Sequence, residues 1–363
     1  MLCNIKKYLL NYKICYIIGI MLGISNDIGI DLGTCSVQAY VRGRGIVLHE
    51  PSVVAVYRDS GKVLEVGRAA QRMIGRTPDN IQAVCPVVNG VISDFELTGV
   101  MLHYFIRKIV GRSFFGRKPR IAICVPGGIT EVERKAVEDA ALSAGTREVF
   151  IIEDPVAAAI GAGLDITAAN GSMVVDLGGG TTDVAVLSLG GFVVTMNIKI
   201  GGNHMNSAII TYIRKKYNLL IGEPSAEDLK VNIGTAYPAL LDAAMEVRGR
   251  NLDTGLPNRI LITSDEISEA IKEQLDAILK LIHSALEATP PELVADIAER
   301  GIVMTGGGAL LHGLDLLISE QMCINAFPAE NPSGCAAIGT GMYIEHIAKY
   351  NVGDMMAGKE IEY

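Results

Sequence analysis

The chain has 363 residues, 49% hydrophobic and 20% charged, with a formal net charge of −8, seven cysteines and no tryptophan. That length exceeds what one hydrophobic core usually supports and predicts two domains of ordinary size, while the composition excludes a disordered chain. The acidic balance argues against general nucleic-acid binding, so no nucleic-acid partner is expected.

Residues 14–24 are nearly all apolar and follow Lys6, Lys7 and Lys13. A run of about eleven residues is too short for a bilayer-spanning helix, which takes roughly 20. No small-residue cleavage pattern follows, so a secretory signal fits poorly, and Met21 is itself a candidate start. We expect residues 1–24 to be an N-terminal extension outside the fold, with a membrane-surface anchor or a weak span as open alternatives.

Residues 28–31, 37–41 and 53–57 are β-type runs separated by glycine-rich turns, the pattern of a meander. A helical stretch runs from Asp94-Phe95 to about residue 110, and 120–125 reads as a buried strand. Thr130-Glu131-Val132-Glu133 is a capping box that starts a helix, Gly145 stands where a C′ glycine ends it, and 148–152 is the next strand. The second half repeats the order, with strands at 173–176, 184–189 and 193–200, a helix from about 205, and a buried strand at 302–304. Before that last strand, residues 265–287 predict a long helix with Ile267, Ile271, Leu275, Ile278, Leu279, Ile282 and Leu286 along one face, stopped by Pro290 and Pro291. This stripe is core or subunit contact and needs no ligand. The cysteines, Cys3, Cys15, Cys35, Cys85, Cys124, Cys323 and Cys335, are an odd set without a Cys-x-x-Cys pair, as suits free thiols in a reducing cytoplasm.

Two glycine turns carry the chemistry. Asp31-Leu32-Gly33-Thr34-Cys35-Ser36 and Asp176-Leu177-Gly178-Gly179-Gly180-Thr181-Thr182-Asp183 each follow one strand-like run and precede another. An acidic residue closing a strand, then glycines whose amides can approach an anion, then hydroxyl side chains, suits a pair of hairpins that grip a polyphosphate and its metal from two sides. Ordinary glycine hairpins are the alternative for either turn taken alone.

These turns resemble the phosphate motifs of the actin, sugar-kinase and heat-shock-chaperone ATPase superfamily. The finer match is to the bacterial actins MreB and Mbl, on Gly-Ile-Val-Leu-His-Glu-Pro-Ser-Val-Val-Ala at 45–55, Gly-Arg-Thr-Pro-Asp-Asn-Ile at 75–81, Gly-Val-Ile-Ser-Asp-Phe at 90–95, Pro-Pro-Glu-Leu-Val-Ala-Asp-Ile-Ala-Glu-Arg-Gly at 290–301 and Ala-Glu-Asn-Pro at 329–332. The likeness runs from about residue 27 to 347.

The resemblance implies an α/β actin-like ATPase fold: two similar RNase H-like domains around a nucleotide cleft, each with a smaller inserted subdomain. Domain I would cover 25–168 with an insert at about 51–94, and domain II 169–347 with an insert at about 205–262. A C-terminal helix at about 335–347 would pack back on domain I, leaving a tail at 348–363. It also implies a cytoplasmic ATP-dependent homopolymeric filament, peripheral on the inner face of the cell membrane, that determines rod shape by organising cell-wall synthesis with cell-wall elongation membrane proteins.

Residue by residue, the resemblance puts Gly33, Thr34, Cys35, Ser36, Gly178, Gly179, Gly180 and Thr181 on the phosphates of ATP, with Asp31 and Asp176 reaching Mg²⁺ through water. The family usually has Ala-Asn where this chain has Cys35-Ser36. Glu227, Asp228, Leu229 and Lys230 match the adenosine-side helix, with Glu227 and Lys230 as the ribose and adenine candidates; a solvated charge pair is the alternative. Gly306, Gly307, Gly308 and Ala309 match the turn that lets backbone approach the nucleotide, against a plain strand-to-helix turn. Asp154, in Glu153-Asp154-Pro155, matches the catalytic acid that positions the attacking water, where the family typically has a glutamate one methylene longer.

Phe114 and Phe115 interrupt a basic stretch containing Lys108, Arg112, Arg117, Lys118 and Arg120, where the family carries its membrane-insertion loop. Packing of both rings against their own domain is the alternative. The rival functions are a sugar-kinase-type or chaperone-type ATPase of the same superfamily. The first needs a substrate base that only Asp154 offers, and the second needs a peptide-binding domain after the ATPase half.

Overall fold

The computed structural model describes residues 27–110, 118–126 and 129–345. Two five-stranded sheets carry the fold, and they are built alike. In the first, Ile28–Leu32 is central; Ser36–Val41 and Gly45–Pro51 continue from it as an antiparallel meander, and Arg120–Val125 and then Glu148–Glu153 add in parallel on the other side. In the second, Ser172–Leu177 is central, with Thr182–Ser188 and Gly191–Ile198 as the meander and Ile302–Thr305 and Ala326–Pro328 as the parallel pair. The repeat expected from strand order is therefore a repeat of sheet topology.

Both central strands are almost wholly buried because apolar layers cover both of their faces, which is why they read as continuous apolar runs rather than alternating ones. The helix Phe95–Val110 buries Met101, Leu102, Phe105 and Ile106 against the first sheet. The helix Glu131–Ser143 starts at the expected capping box, with Glu133 N–H donating to Thr130 Oγ1 at 3.2 Å, and Gly145 follows its end at φ +96°.

On the second sheet lies Ser264–Ala288, the predicted long helix. Ile267, Ile271, Leu275, Ile278 and Ile282 are buried in the core of this half, and Leu279 and Leu286 pack at its margin, so the stripe is core. Burying each such side chain is worth about 1.5–3 kcal/mol.

The two halves are joined by crossed helices. Asp154–Gly161 follows the last strand of the first sheet yet packs on strands of the second, and Cys335–Glu345 follows the last strand of the second yet packs on strands of the first. Where they cross, a Cβ on Gly339 would stand 1.8 Å from the Ala157 carbonyl oxygen, and one on Gly161 would stand 1.9 Å from that of Cys335. Glycine is what lets the two backbones touch there.

Smaller sheets accompany each half: Val54–Tyr57, Val63–Val66 and Ile81–Val84 beside the first, and Leu219–Leu220 with the hairpin Ala244–Asn251 and Pro257–Thr263 beside the second. The helix expected from about residue 205 begins three residues earlier, as Gly202–Tyr217. Among the described residues, no helix is long and apolar enough to cross a membrane. The N-terminal extension, Phe114, Phe115 and the tail lie outside the described residues.

Candidate functional site

The first glycine turn leaves its central strand and closes on itself, with Gly33 N–H donating to the Ser36 carbonyl at 3.1 Å; in the second turn Gly178 N–H donates to the Thr181 carbonyl at 2.9 Å. A Cβ on Gly33 would lie 2.8 Å from the Ser36 oxygen, so that tight return depends on glycine, and one on Gly178 would lie 3.2 Å from the Thr181 oxygen, a close fit. The two turns share one hydrogen-bonding geometry, not merely a spelling.

Each turn is braced from outside. Ser52 donates Oγ to the Gly33 carbonyl at 2.6 Å and N–H to the Cys35 carbonyl at 3.1 Å, while Gly90 N–H donates to Thr34 Oγ1 at 2.9 Å. The second turn is tied to the start of Gly202–Tyr217, with Gly202 N–H donating to the Gly178 carbonyl at 3.1 Å and Asn203 N–H to the Gly179 carbonyl at 2.8 Å. The turns also touch: a Cβ on Gly179 would fall 2.1 Å from Cys35 Sγ, and one on Gly180 would fall 2.8 Å from Thr34 Oγ1.

Behind the turns the acidic residues converge. Register sets Asp31 beside Cys124 across two parallel strands and Asp176 beside Thr305 across the matching pair. Ligand atoms of Asp31, Cys124 and Asp154 lie within 4.8 Å of one another. Burial, and then the charge of Asp176, push the Asp31 carboxyl up to about 7 against the Cys124 hydrogen bond. Asp154 is raised well above the usual carboxylate range by burial and by the charges of Asp31, Asp183 and Asp176. Burial raises Asp176 too, opposed by its bond from Thr305. Carboxyl groups that hinder one another's ionisation are what a hard dication relieves, and Asp154 Oδ1 is buried without a hydrogen-bond partner. The donor set fits Mg²⁺ near Asp31, Asp154 and Asp176; the buried Cys124 thiol, itself pushed well above its ordinary value, is a soft group that Mg²⁺ does not favour.

A second side of the site is formed by Glu223–Ile233 and Gly202–Tyr217. Lys230 Nζ donates to the Gly202 carbonyl at 3.0 Å and to Glu227 Oε2 at 2.8 Å, and Asn206 Nδ2 donates to the same Glu227 oxygen at 2.6 Å. Glu227 and Lys230 thus form the i, i+3 pair, and Lys230 also reaches the backbone next to the second turn. Leu229 is fully buried core and Asp228 is exposed, so neither side chain joins that network. Gly306, at φ +78°, is pressed on the second turn, where a Cβ would lie 2.3 Å from the Leu177 carbonyl oxygen. A Cβ on Gly308 would lie 2.8 Å from that of Leu177, Gly307 faces open space, and Ala309 is buried. The strand Ile302–Thr305 leads into the 3₁₀ turn Gly307–Leu310 rather than an α-helix.

Cys124, Thr305, Asn203, Asn206 and Ser52 are parts of this site that sequence reasoning passed over. Asp183 stood inside the second motif without a role; it is buried opposite Asp176 and its charge acts on Asp154.

The profile of the family described as MreB/Mbl protein matches residues 25–352. The cell shape-determining protein Mbl of Bacillus cereus is 52% identical over 323 residues, covering 89% of this chain and 97% of the relative. The cell shape-determining protein MreB of Escherichia coli K12 is 50% identical over 337 residues, covering 92% and 97%. Among solved structures, MreB5 of Spiroplasma citri bound to ADP superposes with a TM-score of 0.85 at 34% identity, covering 93% of this chain and 99% of that one. The fold is accordingly actin-like.

Proposed function

The chain belongs to the MreB/Mbl family, and from that premise we propose that it is an ATP-dependent, membrane-associated filament protein that determines rod cell shape by organising cell-wall synthesis. The relatives' names as cell shape-determining proteins and the ADP held by the Spiroplasma structure support this reading. The observation that carries it is the pair of matching turns, each closed by the same backbone bond and each backed by an aspartate from a central strand.

In this reading Gly33, Thr34, Cys35 and Ser36 hold the phosphates from one half, and Gly178, Gly179, Gly180 and Thr181 hold them from the other, through backbone N–H groups and hydroxyls. Asp31 and Asp176 hold hydrated Mg²⁺, which supplies positive charge against the phosphates when bound. Asp154 orients the water that attacks the terminal phosphate. Glu227 and Lys230 meet the ribose and adenine, and the 306–309 turn lets backbone approach the base. Nucleotide bridging both turns draws the halves together, and the closed form stacks on further copies. Phe114 and Phe115 enter the inner face of the membrane, so a filament presenting many loops holds firmly through avidity.

The test is sedimentation and electron microscopy of purified protein at micromolar concentration. Filaments that form with Mg-ATP and not without nucleotide support the reading. Protein that stays unassembled while it phosphorylates a sugar, or whose ATPase is stimulated by unfolded peptide, overturns it.

A further inference from the structure

We infer that Cys35 and Asn203 form a latch between the two halves of the molecule that gates the passage of nucleotide through the phosphate end of the cleft. This rests on the nucleotide reading above. Cys35 belongs to the first turn, Asn203 opens the helix Gly202–Tyr217 beside the second, and Cys35 Sγ donates to Asn203 Oδ1 at 3.1 Å. Asn203 is no free-swinging partner, because its own N–H is bonded to the Gly179 carbonyl at 2.8 Å. The sulfur is also lodged against Gly179, where a Cβ would come within 2.1 Å of it, so a side chain at that position would displace the thiol. The result is a continuous tie that runs from the first turn through the thiol and the Asn203 amide into the second turn.

The thiol is suited to the role at neutral pH. Although Cys35 is an exposed residue, its sulfur sits against Gly179 and Asn203, and burial there and then the charge of Glu227 push the thiol up to about 11, so it remains a protonated donor. Because the tie joins the two groups that grip the phosphates, nucleotide cannot pass at that end without breaking it, and a tie of this kind slows arrival and departure together. An S–H bond is a weak donor interaction, so the gate is modest and easily opened.

The test is stopped-flow binding of N-methylanthraniloyl-ATP with Mg²⁺ to the full chain and to Cys35→Ala, Cys35→Ser, Asn203→Ala and the double alanine variant. Association and dissociation rates should both rise about threefold or more in each alanine single variant, as loss of one weak hydrogen bond predicts. Cys35→Ser keeps a donor and should accelerate the rates less than Cys35→Ala does. The double variant should be no faster than either single one, because both remove the same bond. Rates in Cys35→Ala and Asn203→Ala that match the parent's, or a double variant whose acceleration is the product of the two, overturn the latch while leaving nucleotide binding intact. A parent chain that does not bind the probe at all overturns the nucleotide reading and the latch with it.

Discussion

Thr305 and Asp176 face one another across two parallel strands, and the hydroxyl donates to Asp176 Oδ1 at 2.7 Å. The same place in the other half holds Cys124 beside Asp31, with the thiol donating to Asp31 Oδ1 at 3.7 Å. One architecture thus supports its two central aspartates with donors of different strength. The hydroxyl bond eases ionisation of Asp176, while the weaker thiol leaves Asp31 raised to about 7 by burial and by its neighbour's charge.

These surroundings set the behaviour of Asp31→Asn and Asp176→Asn. On the proposed function each removes a carboxylate from the surroundings of Mg²⁺, and calorimetry with Mg-ATP should then show affinity falling by about 10- to 100-fold. Each also removes a buried like-charge partner, so without Mg²⁺ the thermal midpoint should equal or exceed the parent's. Unchanged Mg-ATP affinity in both variants removes these residues from the metal's surroundings.

Asp154 opens the helix that crosses from one half to the other, and its Oδ1 is buried without a hydrogen-bond partner. If it orients water rather than holding phosphate, Asp154→Ala should bind ATP nearly as the parent does while phosphate release slows by about 10²-fold, the scale on which displacement by 1 Å acts. Asp154→Glu restores the longer acid and should hydrolyse ATP as fast as the parent or faster. Steady-state phosphate release by Asp154→Ala equal to the parent's would exclude the role.

The basic stretch around Phe114 and Phe115 carries the membrane prediction. Burying two phenylalanine rings in a bilayer contributes about 1.5–3 kcal/mol each, and each nearby cation adds about 1 kcal/mol at an anionic surface. Replacing both with Ser in a chain that begins at Met21 should leave ATP binding and assembly intact while flotation with anionic liposomes falls sharply. Equal flotation with Phe or Ser removes these residues as the lipid contact.

Most of the duplicated frame was legible, because glycine turns and apolar strands leave marks in the sequence that do not depend on distant contacts. The accessory strands were not. In Ala244–Asn251 most side chains are partly or fully exposed, and Glu246, Arg248 and Arg250 interrupt its apolar residues, so the strand is set by pairing with Pro257–Thr263 and Leu219–Leu220 and by the few side chains, such as Val247, that reach the core. Cys124 and Thr305 look like ordinary core residues inside apolar runs, and only strand register reveals that they address Asp31 and Asp176. The 227–230 motif shows the opposite limit: a matched string includes Leu229, which the helix turns into the core, beside Glu227 and Lys230, which it turns toward Gly202. Glycines such as Gly161 and Gly339 gave no signal, since what they permit is contact between helices far apart in the chain.

Glu266 ties the start of the long helix to the C-terminal end of Gly202–Tyr217, and it sets a pH dependence. Its carboxylate accepts hydrogen bonds from the Tyr217 hydroxyl, from Lys216 Nζ at 2.8 Å and from Thr263 N–H at 2.9 Å. Burial alone pushes this group up, but those three donors outweigh it and hold the carboxyl down at about 2. In the unfolded chain a glutamate titrates near 4.3. The folded value is the lower one, so the stabilisation is fully present above about pH 4.3 and is lost as the pH falls toward 2, where the folded state must also take up the proton. Glu266→Gln removes the charge while keeping the shape. At pH 7 it should cost about 1.5–3 kcal/mol in urea unfolding, the range for hydrogen bonds to a charged group. The difference from the parent should shrink steadily between about pH 4.3 and 2, as the parent's own carboxylate is protonated. A difference that stays constant across that window would mean that the three donors contribute nothing specific to the ionised form.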